Sequence, residues 1–165
     1  LVEGGEGADN VKVADLISST VKGGIGADLV SASGVVSVGA LYGNSGNDSF
    51  VVSGIATSAS TYGGAGNDSM TFAAAANTLT YEGGLGDDTL KITGAVTNST
   101  IYGDNGAATD GGKDSISLGS SASGSYIYGN LGADSISVDG GAIAKFDKIK
   151  CIGLFESDKN SIIIK

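Results

Sequence analysis

Gly63-Gly64-Ala65-Gly66-Asn67-Asp68-Ser69-Met70-Thr71 (GGAGNDSMT) decides how the rest of the chain is read. Three glycines in four positions let the backbone adopt φ > 0 and curl without Cβ clashes. A curled backbone turns its carbonyl oxygens to one side, and Asp68 adds a carboxylate beside them. Oxygen donors of these two kinds, at about 2.3–2.6 Å, suit a hard cation such as Ca²⁺. Met70, two residues after the aspartate, begins a strand and points inward.

The pattern occurs seven times. Intact copies are GGEGADNVK from Gly4, GGIGADLVS from Gly23, GNSGNDSFV from Gly43, the quoted stretch, GGLGDDTLK from Gly83 and GNLGADSIS from Gly129. The copy at Gly103 is interrupted: GDNG, an extra AATDGG over 107–112, then KDSIS from Lys113. Starts are spaced 19, 20, 20, 20, 20 and 26 residues apart. A fixed period near 20 signals a solenoid in which each repeat is one coil. The predicted metal turns comprise Gly4, Gly5, Gly7, Gly23, Gly24, Gly26, Gly43, Gly46, Gly63, Gly64, Gly66, Gly83, Gly84, Gly86, Gly103, Gly106, Gly129 and Gly132. Their acids are Asp9, Asp28, Asp48, Asp68, Asp88, Asp114 and Asp134.

Apolar residues keep phase with the glycines. Val11, Val30, Phe50, Met70, Leu90, Ile116 and Ile136 follow the aspartates, and two residues later come Val13, Ala32, Val52, Phe72, Ile92, Leu118 and Val138. A spacing of two is strand periodicity, so each turn feeds a short strand with two inward side chains. A second strand precedes each turn, with Val21, Leu41, Thr61, Tyr81, Ile101 and Ile127 inward. Helix is excluded by the glycine density and the lack of a 3.6-residue period. The fold class is an all-β parallel solenoid of about seven coils with one glycine turn per coil. Outward positions beside the second strand are Lys22, Tyr42, Tyr62, Glu82, Tyr102 and Tyr128. The tyrosines read either as cross-strand packing or as a stripe for a cell-surface polysaccharide or other partner. The opposite turn, around Gly34, Gly54, Asn77 and Gly94, has no G-x-D pattern, and Asp15 is the one acid near it in the first five repeats. Cations are therefore expected along one edge only.

Residues 1–141 form the repeat domain, and 142–165 lose the glycine motif while holding five of the nine lysines. That tail is expected to be a cap of one or two strands that covers the solenoid's open end, with Phe146, Ile149, Ile152 and Phe155 packing on the last coil. Because the chain begins at Leu1, almost inside a repeat, it reads as a piece of a longer protein whose upstream part, or another copy, covers the first coil.

Eighteen acidic residues stand against nine lysines, a net charge of −9, with no histidine, proline or tryptophan. Nucleic acid, which needs a basic footprint, is excluded as a partner. The single Cys151 rules out an internal disulfide framework. No apolar run approaches the roughly 20 residues of a transmembrane helix. Without histidine there is no base for a serine or cysteine nucleophile, and the recurring acids are better used on metal than as a glycosidase pair, so the chain is not expected to be an enzyme.

In a parallel solenoid equivalent residues stack about 4.8 Å apart. Two carboxylates at that spacing repel by roughly 0.9 kcal/mol even in water. Seven in a row oppose folding unless cations lie between them. Seven loops leave six gaps, hence about six Ca²⁺ ions, each taking an aspartate from either side plus turn carbonyls. The competing reading is a solvated Gly/Ser linker, which would not keep apolar residues in phase with its glycines. Asn47, Asn67 and Asp87 tolerate left-handed geometry and are read as turn-shaping residues, not ligands. Asp104 and Asp110 in the inserted loop are read as a solvated bulge, with an extra ion as the alternative.

Over residues 4–138 the repeats resemble the calcium-binding nonapeptides of the RTX (hemolysin-type) family. The resemblance implies a right-handed parallel β-roll that folds on extracellular calcium. It also implies export by type I secretion from Gram-negative bacteria, with a C-terminal signal that the ending SIIIK would overlap. Two roles follow from it. One is a structural module of a secreted or surface protein, of surface-layer or adhesin type. The other is a folding and secretion module attached to an upstream protease, lipase or epimerase. The period of 20, the single motif per coil and the insertion depart from the family pattern.

Overall fold

The computed structural model describes residues 1–105 and 111–139, together with the backbone of the strands Lys148–Cys151 and Ser161–Ile164. The described chain is all β, wound into stacked coils with three faces. On the first face lie Val2–Glu6, Thr20–Ile25, Ala40–Ser45, Ser60–Ala65, Thr80–Leu85, Thr100–Asp104, Tyr126–Asn130 and Lys148–Cys151. The second face holds Asn10–Val13, Leu29–Ala32, Ser49–Val52, Ser69–Phe72, Thr89–Ile92, Ser115–Leu118, Ser135–Val138 and Ser161–Ile164. A third, narrower face is built of two-residue strands: Leu16–Ile17, Val36–Ser37, Ala56–Thr57, Ala76–Asn77, Val96–Thr97 and Ala122–Ser123.

Every strand pairs in parallel with its equivalent in the next coil. The register follows the sequence period: Val11 opposes Val30, Phe50 opposes Met70, and Leu90 opposes Ile116 across the insertion. The third face was not anticipated. Two-residue strands are too short to show alternation, so sequence periodicity resolves only the two longer strands of each coil. The glycines expected at a single opposite turn, Gly34, Gly54 and Gly94, instead precede the third face, and Asn77 lies on it.

The core fills the inside of this triangle. The inward rows named above are buried wherever a coil lies on both sides, and the third face adds Leu16, Val36, Ala56, Ala76, Val96 and Ala122. Sizes compensate within a coil. Phe50 and Phe72 on the second face are matched by Ala56 and Ala76 on the third, whereas Ala32 is matched by Val36. A close-packed interior of constant cross-section requires this trade. On the first coil Val11 and Val13 pack against the second coil and are partly buried.

In the tail, Lys148–Cys151 adds to Tyr126–Asn130, and Ser161–Ile164 adds to Ser135–Val138, both parallel and continuing the first two sheets. Phe146, Ile152 and Phe155 of the expected cap lie outside the described residues, as does the boundary at 141–142.

Candidate metal centre

The glycine turn joins the first face to the second. Alternation on the first-face strand puts Tyr81 inward, Glu82 outward and Gly83 inward again. Gly83 has no side chain to place inside, and the Asp88 carboxylate fills that space. The same holds at Gly63, where an added Cβ would collide with Asp68 Oδ2 and with the Gly83 carbonyl oxygen of the next coil. Gly63 is therefore fixed by what occupies its vacant side-chain position. Gly64 is fixed by conformation: its φ is +113°, and a Cβ there would strike the Asn44 carbonyl of the preceding coil. Asn44 and Asn130 stand at the equivalent position with φ of +74° and +70°, which asparagine tolerates best among residues with a side chain.

The aspartates are inward and nearly inaccessible: Asp28, Asp48, Asp68, Asp88, Asp114 and Asp134 are 1–3% exposed. Their two oxygens have different environments. Oδ1 accepts the backbone N–H of the aspartate one coil earlier, at 2.7–3.0 Å, from Asp28 under the Asp9 N–H to Asp134 under the Asp114 N–H. Oδ2 of Asp9, Asp28, Asp48, Asp68, Asp88 and Asp114 is buried without a hydrogen-bond partner. At Gly4, Gly43, Gly63, Gly83 and Gly103 this orphan oxygen and the carbonyl oxygen of the next coil's first glycine crowd the same vacant Cβ position. Two oxygens facing one space with no donor between them require a proton or a cation there.

Burial raises four of these carboxyl groups. Asp68 is pushed up to about 7 by loss of solvent, reinforced by the Asp48 charge and opposed by the Asp48 N–H it accepts. Asp88 is raised to about 7 and Asp114 to about 8, again chiefly by burial, with Asp104, Asp134 and Asp88 adding like charge around Asp114. Asp48 is raised for the same first reason. Among the described residues no three His, Cys, Asp or Glu side chains form a group that could hold a metal ion. The acids form a line one coil apart, so a cation here would draw its remaining oxygens from the backbone. A buried carboxylate oxygen beside a peptide carbonyl is the donor set a hard divalent cation takes, and the residues present fit one.

The structure changes the reading of several positions. Asn47, Asn67 and Asp87 are absent from the residues with positive φ. They form a second, outer ladder instead: Asn47 Oδ1 accepts the Asn67 N–H, Asn67 Oδ1 the Asp87 N–H, and Asp87 Oδ1 the Lys113 N–H. In the interrupted copy Gly112 takes the third-glycine place, stacked between Gly86 and Gly132. The inserted residues are therefore 106–111, not 107–112. Gly106 and Asp110 lie outside the described residues. Asp104 is no solvated bulge. It is fully buried, and its carboxylate accepts the Gly112 N–H at 3.1 Å and the Leu131 N–H at 3.0 Å, closing the root of the insertion. Asp15 caps the far corner of the first coil by accepting the Val35 N–H.

The outward tyrosines stack in pairs, Tyr42 on Tyr62 at 4.9 Å and 10°, and Tyr102 on Tyr128 at 5.1 Å and 14°. Glu82 stands between the pairs. Each ring turns a face to its partner, which is cross-strand packing. The residue that sequence reasoning passed over is Tyr81. The sequence places it in the inward row without a role, yet its hydroxyl is buried without a hydrogen-bond partner. A polar atom inside a row that is otherwise apolar except at Thr61 (Val21, Leu41, Ile101, Ile127) was the available signal. Set against known proteins, the chain matches no family model, no curated protein and no solved structure.

Proposed function

We propose that this chain is a calcium-binding structural module of a secreted or cell-surface bacterial protein, of surface-layer or adhesin type, that folds when calcium is supplied. One observation carries the reading: at five of the turns, four of them consecutive from Gly43 to Gly103, a buried carboxylate oxygen and a glycine carbonyl face one space with no donor between them. When bound, Ca²⁺ supplies positive charge to that space. Asp9, Asp28, Asp48, Asp68, Asp88, Asp114 and Asp134 would hold it, with the carbonyls of Gly23, Gly63, Gly83, Gly103 and Gly129. The Oδ1 staples then register one coil on the next, while Oδ2 is left for the cation. Proline is absent and glycine numbers 29, so the unbound chain loses much entropy on ordering. Affinities of order 10⁻⁴–10⁻³ M, those of extracellular calcium modules, suit a protein that stays unfolded inside the cell and folds outside. The resemblance of the repeats to type I secreted proteins agrees with that route.

The test is circular dichroism at neutral pH with EDTA and then with calcium, on the parent chain and on Asp68→Asn. The parent is expected to be largely disordered in EDTA and to gain β signal on addition of Ca²⁺. Asn keeps the Oδ1 acceptor for the Asp48 N–H and puts an NH₂ donor where Oδ2 faces the Gly83 carbonyl. Asp68→Asn should therefore be better ordered than the parent in EDTA and gain less from calcium. A parent whose β spectrum is the same in EDTA and in calcium would overturn the proposal in favour of a protonated aspartate ladder.

A further inference from the structure

Tyr81 is 1% exposed and ranks among the largest side chains of the core, and its hydroxyl has no hydrogen-bond partner. Residues two apart on a strand face the same way. The next inward position after Tyr81 is Gly83, whose empty side-chain space is filled by Asp88 Oδ2. Tyr81 and the orphan Asp88 oxygen are thus inward neighbours at the same turn. The charges that hold the phenol in its neutral form, after burial itself, are those of Asp88, Asp114 and Asp68, in that order. Their Oδ2 atoms are all buried and unpartnered. Equivalent positions in other coils carry Val21, Leu41, Ile101 and Ile127, which offer no polar atom, and the Thr61 hydroxyl donates to the Thr80 carbonyl. A phenol can donate one hydrogen bond and accept others.

We propose that Tyr81 is a positioning residue of the cation site at Asp88: its hydroxyl donates through one water to the Asp88 oxygen when a divalent cation is held there. The fifth glycine turn then binds its cation more tightly than the turns lined by aliphatic residues. Because it concerns one position of the row, the proposal rests on the calcium-binding reading above. The chemistry is that of a buried carboxylate, which needs donors to stay charged. Without the hydroxyl the Asp88 oxygen loses that donor and is held less firmly, so the local site weakens about three- to tenfold for one hydrogen bond to a charged group.

Calorimetric titration of the EDTA-stripped full chain with CaCl₂, parent against Tyr81→Phe, tests it. The expected result is an unchanged number of ions with one class weakened by that factor. Thermal unfolding in EDTA at pH 5, where protonated aspartates favour the metal-free fold, should show Tyr81→Phe no less stable than the parent, since it removes an unpartnered buried hydroxyl. A purely structural role would instead lower stability with and without calcium alike. Terbium is a second probe of the same oxygen-seeking class, excited through tyrosine over short range. Its emission should fall sharply in Tyr81→Phe and persist in Tyr62→Phe, whose ring points outward. Superimposable calcium isotherms for parent and Tyr81→Phe, with terbium emission retained, would overturn this proposal while leaving calcium binding intact. A parent that binds neither ion would overturn both.

Discussion

Val38 sits at the corner between the third and first faces with φ of +51° and 63% of its side chain exposed. Ser18, Ser58, Thr78 and Asn98 repeat the same left-handed corner with φ from +46° to +55°, and Gly124 takes it at +60°. The backbone geometry is dictated by the coil, so each residue there adopts it whatever its side chain. A β-branched residue in this region is a steric outlier, and the left-handed conformation disfavours an ordinary L residue by about 1–2 kcal/mol. Asparagine bears it with less strain, and Val38 loses little burial by the change. Val38→Asn is expected to stabilise the calcium-loaded protein by about 1 kcal/mol, read as a higher urea midpoint with unchanged slope. No shift in that midpoint would mean that the corner relaxes around valine. Asp104 carries the opposite expectation. Asp104→Ala leaves the Gly112 and Leu131 N–H groups without their acceptor beneath the insertion, which should destabilise by about 2–3 kcal/mol. An unfolding curve that superimposes on the parent's would show the insertion to be held from elsewhere.

At the scale of the element, the aspartate row titrates with the fold. Asp68 and Asp88 lie near 7 and Asp114 near 8 in the folded chain, against an ordinary 3.8. Between those limits the metal-free fold holds protons that the unfolded chain has released, so its stability must fall as pH rises from about 4 to about 8. Calcium needs the carboxylates deprotonated, so its stabilising increment grows over the same range. In EDTA the β signal should therefore be larger and more heat-resistant at pH 5 than at pH 8, and the gain on adding calcium larger at pH 8. A flat EDTA profile would show the row to be solvated. Much of this element was legible in the sequence. Seven aspartates in phase with glycines announced the row, and apolar residues at spacing two announced the strands on either side. What remained hidden was orientation. Motif spacing cannot reveal that Gly63 is small because Asp68 folds back over it, nor that Oδ1 is committed to a neighbouring N–H. The third face was hidden for a different reason, its strands being shorter than one period of alternation. Asp104 was misread because it stands at the second-glycine position of the interrupted copy, opposite Gly84, where no other copy carries an acid.

For the whole molecule, the parallel in-register stacking leaves the two ends unequal. The last full coil receives strands from the tail on two of its faces, while the first exposes Leu1 and Val2 and leaves Val11 and Val13 half covered. Between the ends the solenoid repeats one coil, except at the insertion, where the register advances by 26 residues between Leu90 and Ile116. Strands lie across the long axis and the hydrogen bonds between coils lie along it, each coil held to the next by three parallel ladders. The molecule has the connectivity of a coil spring. Tension applied through its two ends loads the ladders in series, so the weakest gap yields first and the chain unwinds one turn at a time. Each 20-residue turn pays out about 66–72 Å of extended chain. Pulled in a force spectrometer with calcium present, the protein should extend in repeated steps of that length, with one longer step at the 26-residue coil, and chelation should abolish the steps. A tether built this way lengthens under load without parting, and rewinds when the load is removed.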